Sequence, residues 1–216
     1  MGKTVILANG VFPRKGGEAW RLLEGAQRVV ACDGAANAYA RRFRRVPDFI
    51  VGDLDSLKPN SSLLTPHSSL LTPHASRLVP VPDQSTNDLS KAIAFCRARG
   101  WKDLVIVGAM GRREDHALGN VFRAMEAGVE IVTDFGRFVP ATERLRLRVG
   151  KGTPVSVFAT EKDTRMRSRG LVWPLDEVRF ENLYCATLNR ASSSVIEICS
   201  SRSFFIYIAF HHQILV

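Results

Sequence analysis

The sequence lacks several features that would assign its class directly. No apolar run approaches the ~18 residues that a membrane-spanning helix needs. The chain does not open with a charged segment followed by an apolar region and a cleavage site. The P-loop pattern G-x-x-x-x-G-K-[ST] and the dinucleotide pattern G-x-G-x-x-G are also missing. We therefore expect no membrane partner, and neither of the usual nucleotide-binding fingerprints applies.

Cysteine is scarce and widely spaced. The chain has four cysteines, and none of them belongs to a C-x-x-C pair, which argues against a zinc site or a disulfide framework. Cys32 and Cys96 lie within apolar patterns and are predicted to be core thiols. We therefore expect a reducing, cytoplasmic setting.

Positive charge, in contrast, is in excess. The 30 lysines and arginines outnumber the 21 acidic residues and give a formal net charge of +9. Such a surface attracts nucleic acid, but it equally attracts a small polyphosphate. The arginine-rich stretch 41–45 is the best candidate nucleic-acid patch, although a solvated helix end explains it as well, because the helix dipole favours cations there. The other basic residues are scattered without an aromatic-interleaved motif, so no nucleic-acid partner is expected.

The first part of the chain, up to about Thr133, alternates short apolar runs with helical patterns. In the helix predicted at 88–99, Leu89, Ala92, Ile93 and Cys96 form one stripe at helical spacing. Strands that alternate with helices indicate a parallel sheet covered on both faces. The predicted strands are 4–8, 28–32, 49–51, 78–81, 104–107 and 130–133, and the predicted helices are 17–24, 36–42, 88–99 and 116–127.

The pattern changes after about Phe138. Short alternating runs replace the helices, and at 144–149 leucines alternate with arginines, as in a half-buried strand. The predicted strands here are 144–149, 154–159, 165–170, 194–198 and 204–210. The sequence thus predicts an α/β fold class, with a parallel α/β sheet domain at 1–137 and a small all-β domain, a sandwich or barrel, at 138–216.

Residues 61–67 and 68–74 form a tandem repeat of Ser-Ser-Leu-Leu-Thr-Pro-His. Two copies are too few for a solenoid, which needs at least three repeats. The two prolines oppose regular structure, so we expect an extended or mobile surface loop in which His67 and His74 are incidental rather than metal ligands.

The segment 47–56 carries the strongest chemical signal. A short apolar run ends at Gly52 and is followed by Asp53 and Asp55. In an extended backbone, residues i and i+2 point to the same face, so the two carboxylates would converge just past a buried strand. Hard oxygen ligands suit Mg²⁺, which leaves the rest of its coordination shell to water and substrate phosphates. Both aspartates are equally well explained as turn residues.

Polar segments follow the other predicted strands as well. Ligands of open α/β sheets bind beyond the carboxyl ends of the strands, so these segments are expected to share one edge. Asp88 and the pair Asp115-His116 could also be simple helix starts. Small residues at 33–37 allow close backbone approach next to a helix N-terminus that can receive phosphate. The segments are Asn9-Gly10, 33–37 (DGAAN), 53–55 (DLD), 83–88 (DQSTND) and 108–116 (GAMGRREDH).

Taken in order, these segments resemble the motifs of the thiamine pyrophosphokinase family: Asn-Gly, Asp-Gly-x-x-Asn, Pro-Asp-x-x-x-Gly-Asp-x-Asp-Ser, Asp-Gln with Thr/Asn-Asp, and Gly-x-x-Gly-x-Arg-x-Asp-His. The resemblance covers the first ~135 residues. It implies a catalytic α/β domain, a C-terminal β-sandwich domain that helps to bind thiamine, and a homodimer with shared sites. The implied enzyme is an ATP-dependent thiamine diphosphokinase, which transfers the pyrophosphoryl group of ATP to thiamine with Mg²⁺ and releases AMP.

The resemblance also implies roles for individual residues. Asp53, Asp55 and Asp88 would hold Mg²⁺ and, with Arg113 and Asp115, would form the catalytic set. The residues on the ATP side of the crevice would be Asn9, Gly10, Asp33, Gly34, Asn37, Gln84, Asn87 and His116. Arg112 stands where the family usually has a second glycine. It could add a phosphate donor or obstruct close approach.

The C-terminal half matches the family less closely. The segment 170–175 (GLVWPL) fits a family motif, and its Trp173 can present a π-face to a cationic thiazolium ring or serve as a core aromatic. The family's Gly-x-Ser-Asn is replaced by 186–189 (ATLN), which keeps only the asparagine. The implied substrate-binding residues are Trp173, Thr187 and Asn189.

Two alternatives stay open at this point. A pyrophosphokinase of the same fold could act on a hydroxymethylpterin, since the weaker match lies in the substrate-binding half. The chain could also be a nucleotide-binding homologue without turnover.

Overall fold

The computed structural model describes residues 2–57, 77–83 and 85–210. The duplicated segment 61–74 with His67 and His74, and the predicted site residue Gln84, lie outside the described residues. The described chain forms two compact units. Unit 1 holds the residues up to Arg123 together with Val132–Asp134, and unit 2 holds Ala124–Ile131 and the residues from Phe135 onward. Within the described part of the chain, no helix has the length and apolarity to cross a membrane.

Unit 1 is built on a parallel sheet. Its strands are β1 (Thr4–Leu7), β2 (Arg28–Cys32), β3 (Phe49–Gly52), β4 (Arg77–Pro80) and β5 (Leu104–Val107). Their order in the sheet is β5-β1-β2-β3-β4, with every neighbouring pair parallel. Every residue of β1 and of β3 is buried, as expected for strands that are covered on both faces. The predicted parallel α/β region is confirmed.

The helices are α1 (Glu18–Glu24), α2 (Ala35–Phe43), α3 (Asp88–Ala98) and α4 (Glu114–Glu126), and β6 (Glu130–Val132) follows α4. In α3 the predicted stripe of Leu89, Ala92, Ile93 and Cys96 is buried, which confirms the helical periodicity. Cys32 is buried as well, so both predicted core thiols are confirmed, and all four cysteines are free.

Unit 2 is a β-sandwich. Its strands are β7 (Gly136–Ala141), β8 (Arg144–Arg148), β9 (Pro154–Ala159), β10 (Met166–Arg169), β11 (Ala186–Arg190), β12 (Val195–Ser200) and β13 (Phe204–Ala209). Within unit 2 they form two antiparallel layers, β11-β9-β13-β7 and β10-β12-β8. Val157 and Ile206 from the first layer and Ile196 and Ile198 from the second share one buried core, which confirms the predicted all-β region.

Two strands of unit 2 are absent from the sequence-based prediction. β7 contains Pro140, and proline is uncommon within strands because it has no N–H to donate to the ladder. In β11 the pairing register shifts between Ala186 and Asn189, and Leu188 has a φ of 64°. This bulge interrupts the two-residue alternation on which the prediction depended.

Candidate functional site

A cavity of about 580 Å³ opens at the carboxyl ends of the strands of unit 1. All of its lining residues belong to unit 1, and they come from the carboxyl ends of the strands and the segments that follow them, and from α3 and α4. This location agrees with the rule that open α/β sheets bind ligands beyond the carboxyl ends of their strands. Predicted site residues that line it are Asn9, Gly10, Asp33, Asp53, Asp55, Asn87, Asp88, Arg113 and His116.

Three further predicted residues lie next to this lining through their contacts. Asn37 Nδ2 donates a hydrogen bond to the Ser56 carbonyl oxygen at 3.1 Å. A Cβ atom on Gly34 would come within 3.0 Å of Asn9 Nδ2 and 3.1 Å of Ser56 Cβ, so a side chain there would crowd both. Asp115 pairs with Arg113.

Asp33, Asp53 and Asp88 form an acidic cluster. One carboxylate oxygen from each lies within 4.8 Å of the others. Asp33 is only 3% exposed, and its Oδ1 has no hydrogen-bond partner among the described residues. Burial is the main cause that raises the pKa of Asp33, and the negative charges of Asp88 and Asp55 raise it further. An unpartnered buried carboxylate oxygen is costly unless a ligand satisfies it, so this hard oxygen set fits a divalent cation such as Mg²⁺.

The structural premise behind the Asp53–Asp55 pair is wrong. β3 ends at Gly52, and Leu54 has a left-handed φ of 68°, so the backbone from Asp53 to Asp55 is turned rather than extended. Asp55 is exposed and accepts a hydrogen bond from Ser56 Oγ at 3.0 Å. The third carboxylate of the cluster comes from Asp33 instead. The assignment of Asp55 as a metal ligand stays a prediction.

Gly52 is what allows the cluster to close. A Cβ atom at this position would lie 2.9 Å from Asp33 Cβ and 3.2 Å from Asp88 Oδ1. Its φ of 156° is also rarely adopted by residues with side chains. The sequence showed Gly52 only as the end of a strand, and its closeness to Asp33 and Asp88 is visible only in three dimensions.

Lys91 is a site residue that the sequence analysis missed. Its side chain is 3% exposed and lines the crevice, and its Nζ lies 3.2 Å from Asp88 Oδ1. A buried cation in the first turn of a helix is opposed by the helix dipole and by desolvation, so its position depends on nearby negative charge. The i,i+3 spacing from Asp88 was the one available signal.

Asn87 and Asn120 organise the rim between α3 and α4. Asn87 Oδ1 caps α3 by accepting hydrogen bonds from Ser90 N at 2.9 Å and Ser90 Oγ at 2.7 Å. Asn120 Nδ2 donates to the Ala109 carbonyl oxygen at 2.9 Å, and its Oδ1 lies 3.4 Å from Asn87 Nδ2. Asn87 therefore has a structural role beside its predicted ligand role, and Asn120 is a second residue that the sequence analysis missed.

Two arginines stand at the mouth of the crevice. Arg113 donates to Asp115 from Nε at 3.1 Å and from Nη2 at 2.6 Å, in a bidentate pair whose two side chains are more than 60% exposed. The hydrogen bonds from Arg113 are the main cause that lowers the pKa of Asp115 to about 2. Arg112 Nη1 donates to Asn9 Oδ1 at 2.9 Å. His116 lines the crevice beside them.

The predicted substrate-binding residues all belong to unit 2. Trp173 is 58% exposed, so the alternative that it is a core aromatic is wrong. Asn189 is buried and fixes the Trp173 backbone: its Oδ1 accepts from Trp173 N at 3.3 Å, and its Nδ2 donates to the Trp173 carbonyl oxygen at 2.7 Å. Thr187 is partly exposed at the bulge in β11.

A larger open groove of about 880 Å³ also lies in unit 2. Charged side chains of both signs line it, including Arg165, Arg167, Asp176 and Glu177, and no predicted site residue does. Size alone therefore does not select the functional cavity, and the convergence of predicted residues favours the crevice of unit 1.

Several solved structures of thiamin pyrophosphokinases have a similar fold. A thiamin pyrophosphokinase from Candida albicans is 14% identical, with a TM-score of 0.74, over 96% of this chain and 90% of that one. One from Geobacillus thermodenitrificans is 19% identical, with a TM-score of 0.73, over 99% of both chains. The yeast enzyme is 12% identical, with a TM-score of 0.69, over 96% and 86%. At these identities the likeness establishes the fold alone.

Family models match both halves of the chain. Residues 19–132 match the catalytic domain of thiamin pyrophosphokinase, and residues 136–207 match its substrate-binding domain. A comparison with curated proteins finds no match. The first match alone covers more than half of the 216 residues. The chain therefore belongs to the thiamin pyrophosphokinase family.

Proposed function

We propose that this protein is a thiamine pyrophosphokinase, which converts thiamine and ATP to thiamine diphosphate and AMP with Mg²⁺. The observation that carries the proposal is the cluster of Asp33, Asp53 and Asp88, in a chain of this family. Its buried Asp33 Oδ1 has no hydrogen-bond partner in the described part of the chain, and Arg112 and Arg113 line the same crevice.

The cluster would hold the metal ion. Asp33, Asp53 and Asp88 offer the carboxylate oxygens, and Asp55 is a further candidate in the same crevice. When bound, Mg²⁺ neutralises negative charge on the phosphate oxygens of ATP. Lys91 holds Asp88 Oδ1 in place and offsets part of the negative charge of the cluster. The catalytic roles of Asp53, Asp55 and Asp88 remain proposals.

The reaction is a displacement at phosphorus. The thiamine hydroxyl oxygen forms a bond to the β-phosphorus of ATP, the bond from that phosphorus to the α–β bridging oxygen breaks, and AMP leaves with the oxygen. The hydroxyl proton passes to a base, and the described bases of the crevice include the carboxylates. Because thiamine supplies the nucleophile, the chain needs no nucleophilic serine or cysteine. Its work is positioning and charge stabilisation.

Arg113 is the proposed phosphate-orienting residue. The bidentate pair with Asp115 fixes the plane of its guanidinium, and a fixed planar fork suits phosphate oxygens. Asp115 therefore acts through Arg113. Asn9, Gly10, Gly34, Asn37, Asn87 and His116 complete the proposed ATP side.

Thiamine recognition is assigned to unit 2. The exposed ring of Trp173 can stack on the cationic thiazolium, and Thr187 lies on the same bulged strand as Asn189. The amide of Asn189 is already bonded to the Trp173 backbone and to Arg190 N, so we assign it to positioning Trp173. A homodimer in which partners share sites, and a cytoplasmic location, remain part of the proposal.

One observation favours a different substrate. Where the family carries Gly-x-Ser, this chain has Ala186, Thr187 and an 88% exposed Leu188 with a φ of 64°. A changed surface at a substrate contact fits a changed substrate, such as a hydroxymethylpterin.

The experiment is direct. The purified protein is incubated with ATP and Mg²⁺ and with thiamine or a hydroxymethylpterin in parallel, with Asp53→Asn as the control variant. We expect AMP and thiamine diphosphate in equal amounts from the wild type, and neither from the variant. Formation of AMP with the pterin but not with thiamine would identify the hydroxymethylpterin as the substrate instead of thiamine. Tight ATP binding without AMP from any acceptor would identify a non-catalytic homologue.

A further inference from the structure

Arg112 has an unusual backbone conformation. Its φ of 61° lies in the left-handed region, which glycine adopts readily and other residues adopt at a cost. The next residue towards the N-terminus, Gly111, has a φ of 77°, and a Cβ atom there would lie 2.5 Å from Val11 Cγ2. The backbone of this turn therefore favours glycine at both positions, and the family motif that this segment resembles has glycine at the position of Arg112. A strained residue at a functional crevice is a reason to look for a role of its side chain.

The Arg112 side chain is not needed to hold the turn. Backbone hydrogen bonds already join this turn to the loop after β1, from Gly10 N to the Gly108 carbonyl oxygen at 2.7 Å and from Val11 N to the Met110 carbonyl oxygen at 2.8 Å. The guanidinium adds one bond to that loop, from Nη1 to Asn9 Oδ1 at 2.9 Å. This bond orients the guanidinium along the crevice that both residues line.

The charge of Arg112 has no counter-ion in the described protein. Arg113 pairs with Asp115, and Lys91 pairs with Asp88. No carboxylate of residues 2–57, 77–83 and 85–210 lies within ion-pair distance of Arg112. A guanidinium carries five N–H donors, and Asn9 takes one of them. An anion with several acceptor oxygens is the ligand that such a group fits.

We propose that Arg112 is a further binding residue that donates to a phosphate oxygen of the nucleoside triphosphate, with Asn9 orienting its guanidinium. The side chain adds a cation that a glycine at this position cannot supply. The inference depends on the proposed function because that function makes ATP the source of the phosphate.

The test compares two arginine-to-glycine variants. Arg112→Gly removes the guanidinium and relaxes the backbone. Arg44→Gly is the matched control, because Arg44 is exposed, has a φ of 51° at the C-terminal end of α2 and does not line the crevice. Both variants lose one positive charge. Affinity for a non-hydrolysable ATP analogue with Mg²⁺ is measured by calorimetry, and the unfolding midpoint by differential scanning calorimetry.

We expect Arg112→Gly to bind the analogue about tenfold more weakly, which corresponds to about 1.4 kcal/mol, with an unfolding midpoint no lower than that of the wild type. Arg44→Gly should bind as the wild type does. Arg112→Lys should fall between, because it keeps the charge but lacks the planar fork.

Unchanged or tighter binding by Arg112→Gly would overturn the inference, the latter because it would mean that Arg112 obstructs the nucleotide. An equal loss in Arg44→Gly would overturn it too, by assigning the effect to net charge. If Arg112→Gly binds weakly while the wild type forms no AMP with any acceptor, the inference stands and the proposed function fails. A wild type that binds no nucleotide would overturn both.

Discussion

Lys91 Nζ lies 3.2 Å from Asp88 Oδ1, within the first turn of α3, with the lysine side chain 3% exposed and the aspartate side chain 30% exposed. The ammonium is thus the more deeply buried partner. Asp88 connects it to the acidic cluster with Asp33 and Asp53. Lys91 and a bound cation would offset the same negative charge, so the stability of the metal-free protein should depend more strongly on Lys91.

Replacing Lys91 with methionine should destabilise the metal-free protein and increase its stabilisation by Mg²⁺. The variant keeps the volume of the side chain but leaves three carboxylates with less compensation, at a cost of about 1–3 kcal/mol. Mg²⁺ binds the native state and neutralises these carboxylates, so it should raise the free energy of unfolding more in Lys91→Met than in the wild type. Unfolding midpoints in EDTA and in Mg²⁺ measure both effects.

The matched control for Lys91→Met is Arg21→Met. Arg21 forms an i,i+3 pair with Glu18 at 3.7 Å on α1, with both side chains more than 50% exposed, so its loss should cost less than about 1 kcal/mol. An equal loss in the two variants, or no gain in the response to Mg²⁺ for Lys91→Met, would contradict the role of Lys91 at the cluster.

The sequence predicted that the candidate site residues share one edge of the sheet, because parallel strands bring their carboxyl ends together. That rule places Asn9, Asp33, Asp88 and Arg113 together without any knowledge of side-chain contacts. The rule does not predict which carboxylates form the acidic cluster. The cluster depends on the turn at Leu54 and on the absence of a side chain at Gly52, and neither follows from periodicity.

The missed elements have similar causes. β11 is bulged at Leu188 and β7 contains Pro140, so the two-residue alternation is interrupted in one and a ladder donor is lost in the other. Lys91 was missed because a lysine in a helical pattern is normally assigned to solvent. Its burial results from tertiary contacts that the helical pattern does not specify.

The acidic cluster predicts an order of metal dependence. Asp33→Asn removes a buried ligand oxygen, so it should abolish most of the rise in unfolding midpoint that Mg²⁺ gives the wild type. Asp55 is exposed and outside the cluster, so Asp55→Asn should keep more of that rise. Thermal unfolding over a Mg²⁺ titration measures the order. The reverse order would assign the metal site to Asp53, Asp55 and Asp88, as the family resemblance implies.

The Arg113–Asp115 pair predicts a pH dependence. The guanidinium lowers the folded-state pKa of Asp115 to about 2, below its ordinary value. The contribution of the pair to stability is therefore present above the ordinary carboxyl pKa and is lost as the pH falls through about 2. Carbon-detected NMR titration should give a midpoint near 2 for Asp115 in the wild type and a higher midpoint in Arg113→Met. A midpoint that does not move would show that Arg113 does not hold Asp115 in solution.

Trp173 offers a test of the substrate half. Because its ring is 58% exposed, Trp173→Ala should change the free energy of unfolding by about 0.5 kcal/mol or less. Loss of a cation–π contact should weaken thiamine binding by about 1–2 kcal/mol and leave the affinity for an ATP analogue unchanged.

The matched comparison for Trp173→Ala is Asn189→Ala, which keeps the ring but removes the bonds that fix its backbone. It should cost about 1 kcal/mol of stability, because it leaves partly buried backbone groups of Trp173 without partners. Its loss of thiamine affinity should be recovered in part by Asn189→Asp, since a carboxylate can still accept from Trp173 N. Calorimetry on the three variants separates stacking from positioning. Equal losses for thiamine and for the ATP analogue in Trp173→Ala would remove Trp173 from the site and favour the pterin alternative.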